Sequence, residues 1–487
     1  MVGDISLAIT FLIYLAIVIG LGVFAWRRTH NSSDYFLGGR RLPPAVAALS
    51  AGASDMSGWL LLGLPGAAYA SGLSAAWIAI GLMIGMLACW LSMARRLRIY
   101  THALDNALTI PTYLQRRFAI QSPWLRIICA SFILLFFLFY VASGLIAGGK
   151  LFHAVFGWDY QWAVVIGALA IISYTLFGGF LAVSWTDVFQ GLLMCLALLA
   201  VPIMIINLQG GWQTTEVMLQ QDATKYLSLF TDAAGTPLTL LGIISAMAWG
   251  LGYFGQPHIL ARFKALRAPE DARTATAIAL IWSLLCFIGA IGVGLLGHLI
   301  LSDGLADGEQ VFIATVETLF HPLIAGMLLA AILSAIMSTA DSQLLVSSSA
   351  LAEDIYAVWG QDASPNTKLW IGRLAVVGLA LLAVAFAMDP NASVLDVVAY
   401  AWAGLGAAFG PAILLSLYWA RMSGAGAVAG VVTGGITVIV WRHLSGGLFD
   451  IYELLPGFVL SVIAIALVSG ITTTAAAVSD RHRQLPL

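Results

Sequence analysis

Ser50-Ala-Gly-Ala-Ser-Asp-Met-Ser-Gly-Trp59 sits in the middle of an otherwise apolar run, residues 46–68. The run matches the roughly 20 residues that a helix needs to cross a bilayer. Its centre is a poor helix, because two glycines, three serines and one acid each weaken the helix or offer its backbone another partner. Backbone freed from helical bonding is tolerated at membrane depth only where it lines a cavity or is buried in protein. A packing contact between small-residue helix faces accounts for Gly52, Ala53 and Gly58. It leaves Asp55 unexplained, and an intramembrane acid costs a few kcal/mol on insertion scales and marks a functional site. The stretch therefore predicts an all-α membrane protein with a broken span and a polar site where it breaks.

The whole chain fits that expectation. Of 487 residues, 61% are hydrophobic and only 9% charged. A soluble domain carries about 25% charged residues, so the composition excludes a soluble enzyme, a nucleic-acid binder and a disordered chain. Thirteen apolar runs read as spans: 5–26, 46–68, 73–93, 125–148, 161–179, 185–207, 237–256, 274–301, 322–349, 369–388, 395–419, 423–441 and 455–477. They do not alternate in polarity, as barrel strands would. The first begins Met1-Val2-Gly3-Asp4 and is followed by Arg27 and Arg28, so it reads as a retained span with its N-terminus outside. With that start, eighteen of the 22 Lys and Arg fall in inner segments. Lys150, Lys225 and Arg442 fall in outer ones, and Arg373 lies near an inner span end. This asymmetry favours thirteen spans, N-terminus out and C-terminus in. Residues 1–487 then form one transmembrane domain with no separate catalytic module. The four cysteines lack metal-ligand spacing, and there is no phosphate-binding Walker loop.

A second interruption, Trp249-Gly-Leu-Gly-Tyr-Phe-Gly-Gln-Pro-His258, falls in the seventh span. On its own it reads equally as a plain helix end. Paired with the first, it follows the pattern of inverted-repeat transporters, whose broken spans occupy corresponding places in two halves and point to a midplane binding site. Spans two to six (about 46–207) and seven to eleven (about 237–419) make two sets of five, each opening on its broken span. Span 5–26 and the two spans within 423–477 are extra. A third polar cluster, Ala335-Ile-Met-Ser-Thr-Ala-Asp-Ser-Gln343, lies in span nine. Ala335, Ser338 and Thr339 share a helix face, and neutral oxygens suit a small hard cation. Ser and Thr also bond their own helix backbone, so this cluster alone leaves both readings open.

At these residues the chain resembles the sodium/solute symporter family, and within it the bacterial sodium/proline symporters. The shared stretches are Asp34-Tyr-Phe-Leu-Gly-Gly-Arg40, Ser50 to Trp59, Gly178-Gly-Phe-Leu-Ala-Val-Ser-Trp-Thr-Asp187, Trp249 to Phe263, and Ala335-Ile-Met-Ser-Thr339. The resemblance implies a LeuT-type 5+5 inverted-repeat fold in a bacterial inner membrane and sodium-coupled symport of L-proline. The alternative cargo is another amino acid or betaine, pantothenate, a sugar or a carboxylate on the same fold. It implies a sodium site from the backbone oxygens of Ala53, Met56 and Ala335 and the hydroxyls of Ser338 and Thr339, with Asp55 as a supporting charge. It implies a proline site lined by Ser57, Trp59, Tyr140, Trp249, Tyr253 and Pro257. Asp341 departs from the pattern expected of proline symporters. It opens a second sodium site, as in some relatives, from Asp187, Ser338, Asp341 and Ser342, or else Asp341 only pairs with a polar neighbour or an inner arginine. The expected partners are sodium, proline and the lipid bilayer, with no obligatory protein partner.

Overall fold

The computed structural model describes residues 2–26, 37–175, 179–222, 226–301, 304–360, 364–473 and 476–485. Arg27, Arg28, Lys225, Gly178 and the Asp-Tyr-Phe head of the first shared motif lie outside the described residues. The described chain is helical, with two isolated bridges, Leu42 to Leu266 and Thr231 to Pro237, as its only extended pairing. Each of the thirteen expected stretches contains helix among the described residues. Among the described residues, nine stretches are long and apolar enough to cross a membrane, and one of them, Trp59–Ala103, holds the end of span two and all of span three. Three shorter apolar helices, Tyr160–Ile172, Leu240–Gly255 and Trp370–Phe386, stand at spans five, seven and ten.

The elements that position the site are few. Helix α1 (Val2–Trp26) precedes α2 (Pro44–Asp55), which opens on a proline at its first turn. After the break at Met56 to Gly58 the chain resumes as a π-helical turn, Trp59–Gly63, and α3 (Leu64–Ser71). Then come α4 (Ala76–Cys89), α5 (Trp124–Phe156), α6 (Tyr160–Thr175), α7 (Phe180–Leu208) and α8 (Trp212–Asp222). The second half runs α9 (Leu240–Met247), a 3-10 stretch (Ala248–Gly255), α10 (Pro257–Ala265), α11 (Ala272–Ile300), α12 (Pro322–Ser349), α13 (Pro365–Phe386) and α14 (Val394–Tyr418). Helices α15 (Gly424–Trp441), α16 (Leu454–Ile471) and α17 (Ala476–Gln484) follow. Helix α2 packs against α7, α11 and α12, and the 3-10 stretch packs against α4 and α14. Both broken segments are thus enclosed by helices, one of the two settings in which a membrane protein tolerates interrupted backbone.

Some expected edges move. Span four runs to Phe156 rather than 148 because Lys150 stays inside the helix, where Glu309 and Asp307 pair with it at 2.6 and 2.9 Å. Glu309 also accepts from the backbone N–H groups of Val394 and Leu395 at the start of α14, where a carboxylate is favoured. Span nine continues past Ser349 as a π-helical turn, Ala350–Tyr356.

At the end of the chain α17 docks through His482, which is buried and bonds the Tyr100 hydroxyl at 2.9 Å and the Arg117 guanidinium at 3.3 Å. Burial, then Arg117 and Arg96, pushes His482 down to about 4. A histidine held neutral when docked takes up its proton on release below its ordinary value of about 6.5. Docking is therefore fully expressed above that pH and weakens as pH falls from about 6.5 towards 4. We expect protease cleavage within 476–485 to accelerate over that window, and His482→Gln to remove the pH dependence. A flat profile in the unmutated protein would show that His482 does not hold the helix.

Candidate functional site

Helix α2 ends where the sequence weakens it. The N–H of Met56 still reaches the carbonyl of Gly52 at 2.9 Å, but that of Ser57 turns back to the Asp55 carbonyl at 3.1 Å. Gly58 is needed for packing here, since a Cβ would fall 2.5 Å from that of Ala147 on α5.

Across the break stands the polar face of α12. The Ser338 hydroxyl donates to the carbonyls of Ala53 at 2.7 Å and Ala335 at 3.2 Å, and the Thr339 hydroxyl reaches the Ala53 carbonyl at 3.4 Å. Four of the five oxygens expected around sodium are thus in one hydrogen-bonded cluster, fully or almost fully buried. The fifth residue, Met56, is buried in the break itself. Hydroxyl hydrogens rotate freely, so both hydroxyls can turn their lone pairs to a cation without moving a heavy atom.

Asp55 organises the other half of the site. Its carbonyl accepts from the Tyr140 hydroxyl at 2.9 Å and the Trp59 indole at 3.2 Å, besides the Ser57 N–H. Its carboxylate Oδ2 accepts from the Tyr253 hydroxyl at 2.6 Å, while Oδ1 has no hydrogen-bond partner. One residue therefore holds four of the six expected substrate contacts. The fifth, Trp249, lies with its ring 6.2 Å from that of Trp59. The Ser57 hydroxyl has no partner. Aromatic walls, an unpartnered hydroxyl and a half-satisfied carboxylate suit a small molecule with an apolar body and charged ends. Pro257 is set apart from this group. It opens α10 and lines a small void with Arg262 and Lys264.

The second interruption is tighter than helix breaking alone requires. Ala248–Gly255 is a 3-10 helix that ends at Gln256, whose backbone is extended. Its glycines serve close approach. A Cβ on Gly250 would fall 2.1 Å from the Gly81 carbonyl oxygen, and one on Gly252 would fall 1.8 Å from Trp402 Nε1. The Trp402 indole donates to the Trp249 carbonyl at 2.7 Å, and its ring lies 5.1 Å from that of Tyr253. Trp402 is a supporting residue that the sequence did not single out.

Around Ser50 and Ser54, on α2 just before the break, four helices meet on Arg262. Its guanidinium donates to Asp187 Oδ2 at 3.1 Å, the Ser50 hydroxyl at 3.0 Å, the Ser342 hydroxyl at 2.6 Å and the His258 carbonyl at 2.9 Å. Asp187 Oδ2 also accepts from Ser50 at 2.6 Å and Ser54 at 3.1 Å, and Ser54 and Ser342 lie 2.8 Å apart. The inner arginine therefore goes to Asp187 rather than to Asp341, whose Oδ1 accepts instead from Thr175. Of the residues expected at a second sodium, Asp187 and Ser342 bond the same guanidinium, Ser338 bonds the Ala53 carbonyl, and Asp341 bonds Thr175.

The profile of the sodium:solute symporter family matches residues 35–434. A sodium/proline symporter of Salmonella typhimurium is 48% identical over 469 residues, covering 95% of this chain and 92% of the relative. The "High-affinity proline transporter PutP" of Bacillus subtilis is 48% identical over 457 residues, covering 93% and 95%. Among solved structures, a Na+-coupled sialic acid symporter in a substrate-bound outward-open state superimposes with a TM-score of 0.78 at 22% identity, covering 96% of this chain and 98% of that one. A nucleobase-cation-symport-1 transporter gives a TM-score of 0.57 at 13% identity, covering 93% and 99%. At those identities the structural likeness speaks for the fold alone, which is the LeuT-type inverted repeat. With its broken spans, its oxygen cluster and these relatives, the chain belongs to the sodium:solute symporter family.

Proposed function

We propose that the protein carries L-proline into the bacterial cell across the inner membrane together with sodium, by alternating access. The observation that carries this reading is the adjacency, through Asp55, of the Ala53–Ala335–Ser338–Thr339 oxygens and the Trp59–Tyr140–Tyr253 wall. Relatives at 48% identity named for proline transport support the cargo. The thirteen spans, with the N-terminus outside and the C-terminus inside, belong to the same proposal.

Sodium binds between α2 and α12, joined by the Met56 carbonyl, and the Asp55 carboxylate lends the charge that the neutral oxygens lack. An ion there fixes the end of α2 and with it the carbonyl on which Tyr140, Trp59 and Ser57 hang. Proline lies against the aromatic wall of Trp59, Tyr140, Trp249 and Tyr253, while Pro257 lies apart from it at the start of α10. Each ligand then tightens the other by the same factor. One charge crossing ~100 mV yields about 2.3 kcal/mol. At about 1.4 kcal/mol per tenfold, that sustains roughly fortyfold accumulation from voltage alone.

One sodium per cycle fits the Arg262 contacts, because a guanidinium already neutralises Asp187 and occupies Ser342. The test is labelled-proline uptake into proteoliposomes under imposed sodium, potassium or proton gradients. Uptake should follow the sodium gradient with a Hill coefficient near one, unchanged in Asp341→Asn. A coefficient near two that falls to one in Asp341→Asn would establish the second ion. Uptake of another solute without proline would replace the cargo.

A further inference from the structure

Away from the transport path, a cavity of about 650 Å³ opens between α4 and α7 of the first repeat and α11 of the second, beside the short helix α8. Its lining is apolar throughout. Small or ring-closed residues carve it: Ala76 and Ala79 on α4, Pro202 on α7, and Gly289 and Gly292 on α11. A Cβ on Gly289 would strike the Leu198 carbonyl at 2.7 Å, and one on Gly292 would lie 3.2 Å from Pro202, so α7 and α11 touch along this seam at the floor of the cavity. The size lies within the roughly 300–1,000 Å³ typical of small-molecule sites.

The rim identifies the occupant. Ile84, Ile203, Leu284 and Ile288 all line the cavity, yet they are about half exposed, from 47% to 58%. They sit on stretches long and apolar enough to cross a membrane, so the opening faces lipid tails. Water finds no hydrogen-bond partner in such a space. Hydrophobic transfer does not draw a tail in, since lipid is as apolar as the lining. What favours filling is that an unfilled void forfeits the dispersion contacts of every atom around it. Trp212, half exposed on α8, lies at the mouth. Tryptophan is enriched at the headgroup level of membranes, so a chain can enter from that leaflet with its headgroup beside the indole.

We propose that this cavity seats one acyl chain of a bilayer phospholipid. Phe287 is then the wall between lipid and transport site, because it lines the cavity while its ring lies 6.3 Å from that of Trp59. The assignment does not depend on proline being the cargo.

The test uses the full chain in phosphatidylethanolamine–phosphatidylglycerol liposomes doped with a phosphatidylethanolamine that carries a diazirine in its acyl chain. Labelling of peptides containing Met83 and Phe287 should saturate at low probe fraction, whereas label at the exposed Leu467 and Ile471 of α16 should climb in proportion to it. Ala79→Phe, which fills the cavity, should cut the saturable label at least fivefold and leave proline uptake within twofold of the unmutated protein. Should that variant misfold, the saturation curve of the unmutated protein still decides. Label that rises linearly at Met83 and Phe287, as at Leu467, or that persists in folded Ala79→Phe, means surrounding lipid only and overturns the proposal.

Discussion

Asp55→Asn is expected to raise the sodium concentration for half-maximal proline uptake by roughly a hundredfold, with the protein still folded. The substitution keeps an acceptor for the Tyr253 hydroxyl, and the backbone carbonyl that serves Tyr140 and Trp59 is untouched. What it removes is the formal charge at the end of α2, two residues from the Ala53 carbonyl in an oxygen cluster made of carbonyls and hydroxyls. A buried pair of unit charges a few ångströms apart is worth about 3 kcal/mol at an effective dielectric of ~20, which is about two powers of ten in affinity. Uptake measured against sodium concentration, at saturating proline, separates this loss from damage to the proline wall. Unchanged sodium activation would make Asp55 a scaffold for the aromatic residues and nothing more.

Arg262→Met should do greater damage to the folded protein. The guanidinium and its partner Asp187 are both almost wholly buried, with side-chain exposures of 1% and 0%. Removing one member of such a pair strands the other charge, at about 3–5 kcal/mol, whereas replacing both is far less costly. The single variant should therefore give little folded protein and a strongly lowered melting temperature in detergent. The double variant Arg262→Met/Asp187→Asn should recover much of that stability. It should not recover normal transport, because the guanidinium also ties Ser50 of α2 to Ser342 of α12. Those helices flank the proposed ion, so the loss of this tie is expected to show in sodium-dependent uptake. If the single and double variants melt alike, the pair contributes little to the fold.

The fold was largely legible because membrane insertion imposes long apolar runs that composition alone reveals. The break at Asp55 was legible for the same reason: a charged residue among glycines and serines has no cheap place in hydrocarbon. Ser338 and Thr339 were readable from helical spacing, and the structure brings them to the Ala53 carbonyl. Arg262 was not readable. A basic residue just past a span end looks like a topology signal, and only the fold of α10 against α2 turns it inward to Asp187. Asp354 was hidden in the same way, on the π-helical turn beyond α12, where Thr109, Thr112 and Arg126 all donate to it. Trp402 carries no pattern of its own within an apolar run. Its role follows from Gly252, which leaves room for the indole to reach the Trp249 carbonyl. In general, residues defined by local spacing could be found, and residues defined by a distant partner could not.

In the proposed mechanism the oxygens of Ala53, Ala335, Ser338 and Thr339 form a sodium site coupled to the proline pocket through Asp55. Equilibrium binding of labelled proline to the purified protein, titrated with sodium at constant ionic strength, tests it most directly. Sodium should tighten proline by at least tenfold over potassium, and Ser338→Ala should abolish that gain while leaving the sodium-independent affinity in place. Proline binding equally well in potassium, or a sodium effect intact in Ser338→Ala, would contradict it.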